Sequence, residues 1–149
     1  PDIYPNLGIF RISYALFPHP GDWKNGVWLE GDDFNVPVYA AEPPSLALGQ
    51  EHATRPEEDS FISLDASGVF LTGMKQAEDG EELIIRLVEV EGEEKTLTLS
   101  LPENIESVRR LNLIEHPIPD VAKATINEND ISVRIKAHEI ITLGILLTK

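Results

Sequence analysis

An apolar period of two, recurring in short runs along most of the chain, is the feature that most limits what it can fold into. Phe10, Ile12, Tyr14 and Leu16 alternate with Arg11, Ser13 and Ala15, the pattern of a strand with one face on a core. In the run Thr96–Leu101, Leu97, Leu99 and Leu101 point one way and Thr96, Thr98 and Ser100 the other.

The middle of the chain adds turn chemistry to the alternation. Residues Val69–Glu78 and Leu83–Val90 flank Asp79-Gly80, a dipeptide that accepts the positive φ angles of a tight hairpin. Leu83, Ile85 and Leu87 share one face and Ile84, Val88 and Val90 the other, so this strand has material packed on both sides and is central. With Thr96–Leu101 after Glu91-Gly92, the reading is a three-stranded meander closed by Pro102.

Further strands are expected over Ile131–Ala137 and Ile140–Thr148, behind a polar turn at Asn127-Glu128-Asn129-Asp130. Residues 105–115 fit either a helical or an alternating spacing, and a strand is expected from about Val108. Residues 42–60, rich in Pro and acidic groups, read as one long loop. Many short strands with turn signals between them predict an all-β fold, an antiparallel β-sandwich, as a single domain over residues 1–149.

Composition removes several function classes. Twelve basic residues against 26 acidic ones leave a net charge of −14, which repels phosphate and anionic headgroups. No basic stripe relieves it, so nucleic acid and membrane are not expected partners. Absence of cysteine excludes disulfides, thiolate zinc sites and cysteine nucleophiles. No apolar run reaches the ~20 residues of a membrane span, and no secretory leader pattern opens the chain, so a cytoplasmic location is expected.

Signals for chemistry are few. His19, His52, His116 and His138 are too far apart in sequence for a His-x-His or His-x-x-x-His metal pair. The acidic pairs lie beside turns, where carboxylates are solvated. No nucleophile elbow, phosphate loop or dinucleotide fingerprint occurs.

The most unusual segment runs from Tyr14 to Trp23. It begins as a strand, breaks at Pro18, and then concentrates His19, Asp22 and Trp23, with Trp28 shortly after. An indole face beside polar groups can hold a sugar ring, so these four are candidate carbohydrate contacts. The competing reading has both tryptophans closing an end of the sandwich. Arg86 sits inside an apolar strand and calls for a partner. Glu89 lies on the opposite face, so that partner is expected across a neighbouring strand. Both residues are read as structural or inter-domain.

At these residues the sequence resembles the C-terminal β-domain of the glycoside hydrolase family 38 α-mannosidases. The resemblance is carried in order by Tyr14 to Trp23, by Phe34-Asn35-Val36-Pro37, and by Met74 to Gly80 continuing through Ile85-Arg86-Leu87-Val88-Glu89. It continues at Leu111-Asn112-Leu113-Ile114-Glu115, which it favours as strand, and at His138 to Leu143, where His138 replaces a common aromatic. It implies a larger zinc-dependent retaining enzyme that hydrolyses terminal α-mannosides through an aspartate nucleophile. On that reading the chain, which opens on Pro1, is one piece of such an enzyme.

None of the family's catalytic or zinc-binding residues matches a position in this chain, so catalytic and metal residues here are none. The implied zinc belongs to an N-terminal catalytic barrel, which is the expected partner together with a mannose-containing glycan. The expected role is to support the barrel and shape its sugar-pocket rim, the fragment alone being inactive. The alternatives are a free-standing carbohydrate-binding module and an assembly module that forms a homo-oligomer.

Overall fold

The regularly alternating runs from Val69 onward become strands. The computed structural model describes residues 8–36, 38–40, 58–78, 80–119 and 124–148. These fall into two units, Pro1–Gly49 and Gln50–Lys149. Among the described residues the second contains eight strands: β1 (Ser63–Asp65), β2 (Val69–Gln76), β3 (Leu83–Glu89), β4 (Lys95–Ser100), β5 (Ile105–Leu111), β6 (Thr125–Asn127), β7 (Asp130–Ile135) and β8 (Ile140–Leu147). They form two four-stranded antiparallel sheets, ordered β1-β4-β7-β6 and β2-β3-β8-β5. An all-β sandwich is the result.

The core lies between the sheets and is built from the alternating positions. Ile85 and Leu87 of β3, Leu97 and Leu99 of β4, Ile131 and Ile135 of β7, and Ile141, Leu143 and Ile145 of β8 are all buried. At the order of 2 kcal/mol for each large aliphatic side chain removed from water, this cluster is the main stabilising term of the unit. β3 is central, as its two apolar faces require, with β2 on one side and β8 on the other. Ile84 on its outer face is buried with Ala77 and Leu111 in a small second cluster.

The β2–β3 hairpin closes where the turn chemistry puts it. Gly80 takes φ +104 and donates to Ala77 O, and Ala77 N donates to Glu82 O at 2.8 Å. Asp79 lies outside the described residues, as does nearly all of the expected 42–60 loop.

Three expectations are corrected. β4 does not extend a meander: it leaves the β2-β3 sheet and pairs with β1 and β7 in the other. The free side of β3 is taken by β8 in a register from Leu83↔Ile145 to Val88↔Ile140, so β4 has no edge there to join. Residues 112–115 are not strand. Asn112 Oδ1 accepts the N–H groups of Ile114 and His116, and Glu115 takes φ +65. An asparagine that satisfies the backbone locally competes with ladder pairing, which ends β5 at Leu111.

The third correction is in the first unit. Residues 9–19 form no strand, and Phe10, Ile12, Tyr14 and Leu16 are exposed, because a strand needs a neighbour for its backbone groups and no described residue of this unit is in a strand. The regular element among the described residues of this unit is instead α1 (Val27–Asn35). Gly26 stands at its N-cap without a side-chain cap, and none of its residues is buried. Gly31, Asp32, Asp33 and Asn35 are poor helix formers, which is why the sequence gives no helical signal here. Among the described residues no helix is long and apolar enough to cross a membrane.

Candidate functional site

Three of the four candidate sugar contacts, Asp22, Trp23 and Trp28, lie on one turn and the helix it enters, and His19 lies in the irregular segment just before it. Asn25 N donates to Asp22 O at 3.0 Å and Val27 N to Trp23 O at 3.3 Å, which starts the chain into α1. Trp23 on this turn is 45% exposed, whereas Trp28, in the first turn of α1, is half-buried. His19 stacks on Phe17, with ring centroids 6.1 Å apart and planes 16° from parallel. Its Nδ1 is buried and has no hydrogen-bond partner among the described residues. Asp22 contributes its main-chain carbonyl to the turn.

Arg86 belongs to the outer face of the β2-β3-β8-β5 sheet. Its Nε donates to Thr142 Oγ1 on β8 at 3.3 Å and its Nη2 to Leu113 O at 3.1 Å. The partner is therefore across a neighbouring strand, but it is a hydroxyl and a carbonyl rather than a carboxylate. The second bond ties the 112–116 turn onto the sheet. A second tie is the Lys75–Glu115 ion pair at 2.8 Å. The hydrogen bond that Lys75 donates to Glu115 raises the Lys75 pKa, against desolvation and the like charge of Arg86.

Gly73, Met74, Lys75, Ile84 and Arg86 line a small cleft of about 130 Å³ beside these ties. At the other end of the same face, Arg109 Nε and Nη2 form a two-pronged bond to Glu82 at 2.7 Å each. Glu82 passes over Gly144, where an added Cβ would come within 2.8 Å of its Oε2.

Glu89 is on the inner side, and its chemistry is different. Its carboxylate is fully buried and accepts backbone N–H groups from Glu91, Gly92 and His138, each at 2.9 Å. Burial pushes its pKa up, but the backbone donors of His138, Glu93, Glu91 and Gly92 outweigh that and hold it at about 2. Lys95 Nζ is 3.7 Å away and bonds Glu91 Oε2 and Ser67 O. Residues 90–94 carry the chain from β3 into the opposite sheet, and residues 136–139 do the same from β7 to β8. One carboxylate thus staples both crossings.

His138, at φ +56, lies with its ring against Gly92, where an added Cβ would be 2.8 Å from its Nε2. Sequence reasoning missed Lys95, Glu91 and Thr142 as members of these networks. The available signal was the pairing of Glu91-Gly92 with a buried acid two residues earlier.

These arrangements hold backbone and orient loops; they do not assemble a nucleophile with a base. Among the described residues no three His, Cys, Asp or Glu side chains gather as a metal-binding group, so those residues do not fit a zinc site.

Comparison with known proteins gives the relationship. Alpha-mannosidase 2C1 of Homo sapiens is 26% identical over 151 residues, covering 99% of this chain and 14% of the human protein. Alpha-mannosidase G of Dictyostelium discoideum is 27% identical over 119 residues, covering 77% of this chain and 11% of that protein. Alpha-mannosidase of Saccharomyces cerevisiae is 21% identical, with 94% of this chain and 14% of the yeast protein covered. The chain therefore spans about a seventh or less of the relatives it matches.

The sequence model for the glycosyl hydrolases family 38 C-terminal beta sandwich domain matches residues 68–143, which is β2 through β8 apart from the last residues. On that match, and on the two-sheet architecture that carries it, the chain belongs to the C-terminal beta sandwich domain family of the glycosyl hydrolases family 38.

Proposed function

We propose that this chain works as a non-catalytic module of a zinc-dependent retaining α-mannosidase that hydrolyses terminal α-mannosides. Residues 1–149 act together as its carboxy-terminal portion, bracing a catalytic barrel and shaping the rim of its sugar pocket. The observation that carries the reading is the match to proteins named alpha-mannosidase over nearly the whole chain. The sandwich adds support, since its charged groups are committed to holding corners and turns. Zinc and the nucleophile belong to the barrel and to none of the residues described above.

The same reading places Trp23 at the sugar-pocket rim with His19, Asp22 and Trp28 around it. Its half-exposed indole and the unpartnered His19 Nδ1 are the kind of groups that meet a sugar's C–H face and a hydroxyl. Trp23→Ala in the complete polypeptide should raise KM several-fold with little change in kcat, the pattern of lost uniform binding. An unchanged KM removes these four residues from the site. For the reaction itself, proton NMR of the first-formed product from an aryl α-mannoside should show the α-anomer. A β-anomer, or no hydrolysis by the complete polypeptide, contradicts the proposal.

A further inference from the structure

We propose that residues 9–17 are a β-strand supplied to another part of the same enzyme, adding to an open edge of an antiparallel sheet that precedes this chain. The inference rests on the reading of the chain as a module of a larger α-mannosidase. It names the surface by which the module is joined.

The segment has every property of a strand except a neighbour. Phe10, Ile12, Tyr14 and Leu16 alternate with Arg11, Ser13 and Ala15, and at about 3.4 Å per residue an extended chain would spread them over roughly 20 Å of one face. In the structure these side chains are 68%, 85%, 84% and 88% exposed. Four large apolar residues exposed within seven positions are the kind of apolar patch that marks an interaction surface. No described residue of the Pro1–Gly49 unit forms a strand beside them. Pro18, which has no N–H to donate, ends the run, and the Asp22 turn then leads the chain away into α1.

The pattern specifies the partner's chemistry. From Phe10 to Leu16 one face is apolar and the other carries Arg11, Ser13 and Ala15, so over that stretch the receiving sheet has one buried face and is antiparallel rather than buried on both sides. Its edge supplies free backbone N–H and C=O groups, the mode by which extended segments add to sheets. Among the available occupants, a second copy of the chain is opposed by its own charge of −14. The relatives matched along 99% and 94% of this chain are about seven times longer, and a C-terminal sandwich has the remainder of such a protein before it. That remainder is the occupant.

The test is hydrogen–deuterium exchange by mass spectrometry on the complete polypeptide that carries this chain, with no substitution needed. Peptides covering residues 9–17 should exchange at least about a hundredfold more slowly than an unstructured segment, as strand amides in a sheet do. A photo-reactive phenylalanine at position 12 should cross-link to residues that precede Pro1. Exchange at the unstructured rate overturns the inference, as does a cross-link to a second copy or to residues 58–148. Hydrolysis of an aryl α-mannoside is measured on the same sample. Activity without protection defeats this inference alone, whereas protection without activity defeats the α-mannosidase reading.

Discussion

The two ends of this chain treat their hydrophobic and polar groups in opposite ways. From Val69 onward, alternating side chains face one another across the sandwich and the buried carboxylate of Glu89 has three backbone donors. From Phe10 to Leu16 the alternation is equally regular, yet the apolar residues are exposed. The same local pattern is satisfied in one region and left open in the other, because period two fixes which face is apolar and says nothing about where the covering surface comes from.

That contrast can be broken by substitution. The largest effect is expected in the core: Leu99→Ala in the 1–149 chain should cost about 3 to 5 kcal/mol, since Leu99 is completely buried between the sheets. Urea denaturation followed by far-UV circular dichroism measures it, and a loss under ~1 kcal/mol would mean that the sheets are not packed as described.

Glu89→Gln should follow, at about 2 to 4 kcal/mol, because an amide cannot accept from three converging N–H groups without turning a donor into them. The effect carries a pH signature. Glu89 titrates at about 2 in the folded chain against an ordinary 4.5, so the folded state favours the ionised form. Its contribution is full above about pH 4.5 and is lost as pH falls through about 2. The stability gap between wild type and variant should therefore be flat near neutrality and shrink below pH 4.5. A gap that grows on acidification would reverse the sign of the argument.

Gly92→Ala should cost about 1 to 3 kcal/mol, from φ +78 and from the His138 ring in the space a Cβ would take. Thermal unfolding reads it, and an unchanged midpoint would show that the His138 ring yields freely. The smallest effect sharpens the comparison: Tyr14→Ser in the 1–149 chain should change stability by less than about 0.5 kcal/mol, because Tyr14 is 84% exposed there. In the complete polypeptide the same substitution should be clearly destabilising, and equal effects in both would erase the distinction between the two regions.

Much of the sandwich was legible in the sequence, and the reasons are particular. β4 alternates strictly, β3 is apolar on both faces, and Gly80 marks the hairpin, so these elements follow from side-chain geometry and turn chemistry alone. The partner of β4 was not legible. Whether a strand continues its sheet or crosses to the other depends on β8, some forty residues further on, occupying the free side of β3. The three-residue strands β1 and β6 exist only through pairing with β4 and β7 and carry no periodicity of their own. Residues 112–115 were misread because Leu111 and Leu113 alternate while Asn112 turns the backbone.

The site was less legible still. Arg86 was marked by its charge in an apolar strand, and the direction of its partner followed from the pleat. That the partner would be Thr142 and a carbonyl in the 112–116 turn did not. Glu89 was placed on the opposite face, but its three donors come from two separate crossings, which only the assembled fold brings together. His19, Asp22, Trp23 and Trp28 were found by composition, and the turn and helix position of Asp22, Trp23 and Trp28 is a fact of local structure that composition does not carry.

The central claim is that this chain supports an α-mannosidase without performing its chemistry. The most direct measurement compares hydrolysis of an aryl α-mannoside by the folded 1–149 chain and by the complete polypeptide that carries it, under the same conditions. The account predicts turnover by the complete polypeptide and none above buffer for residues 1–149. Enzyme-like turnover by residues 1–149 alone would contradict it.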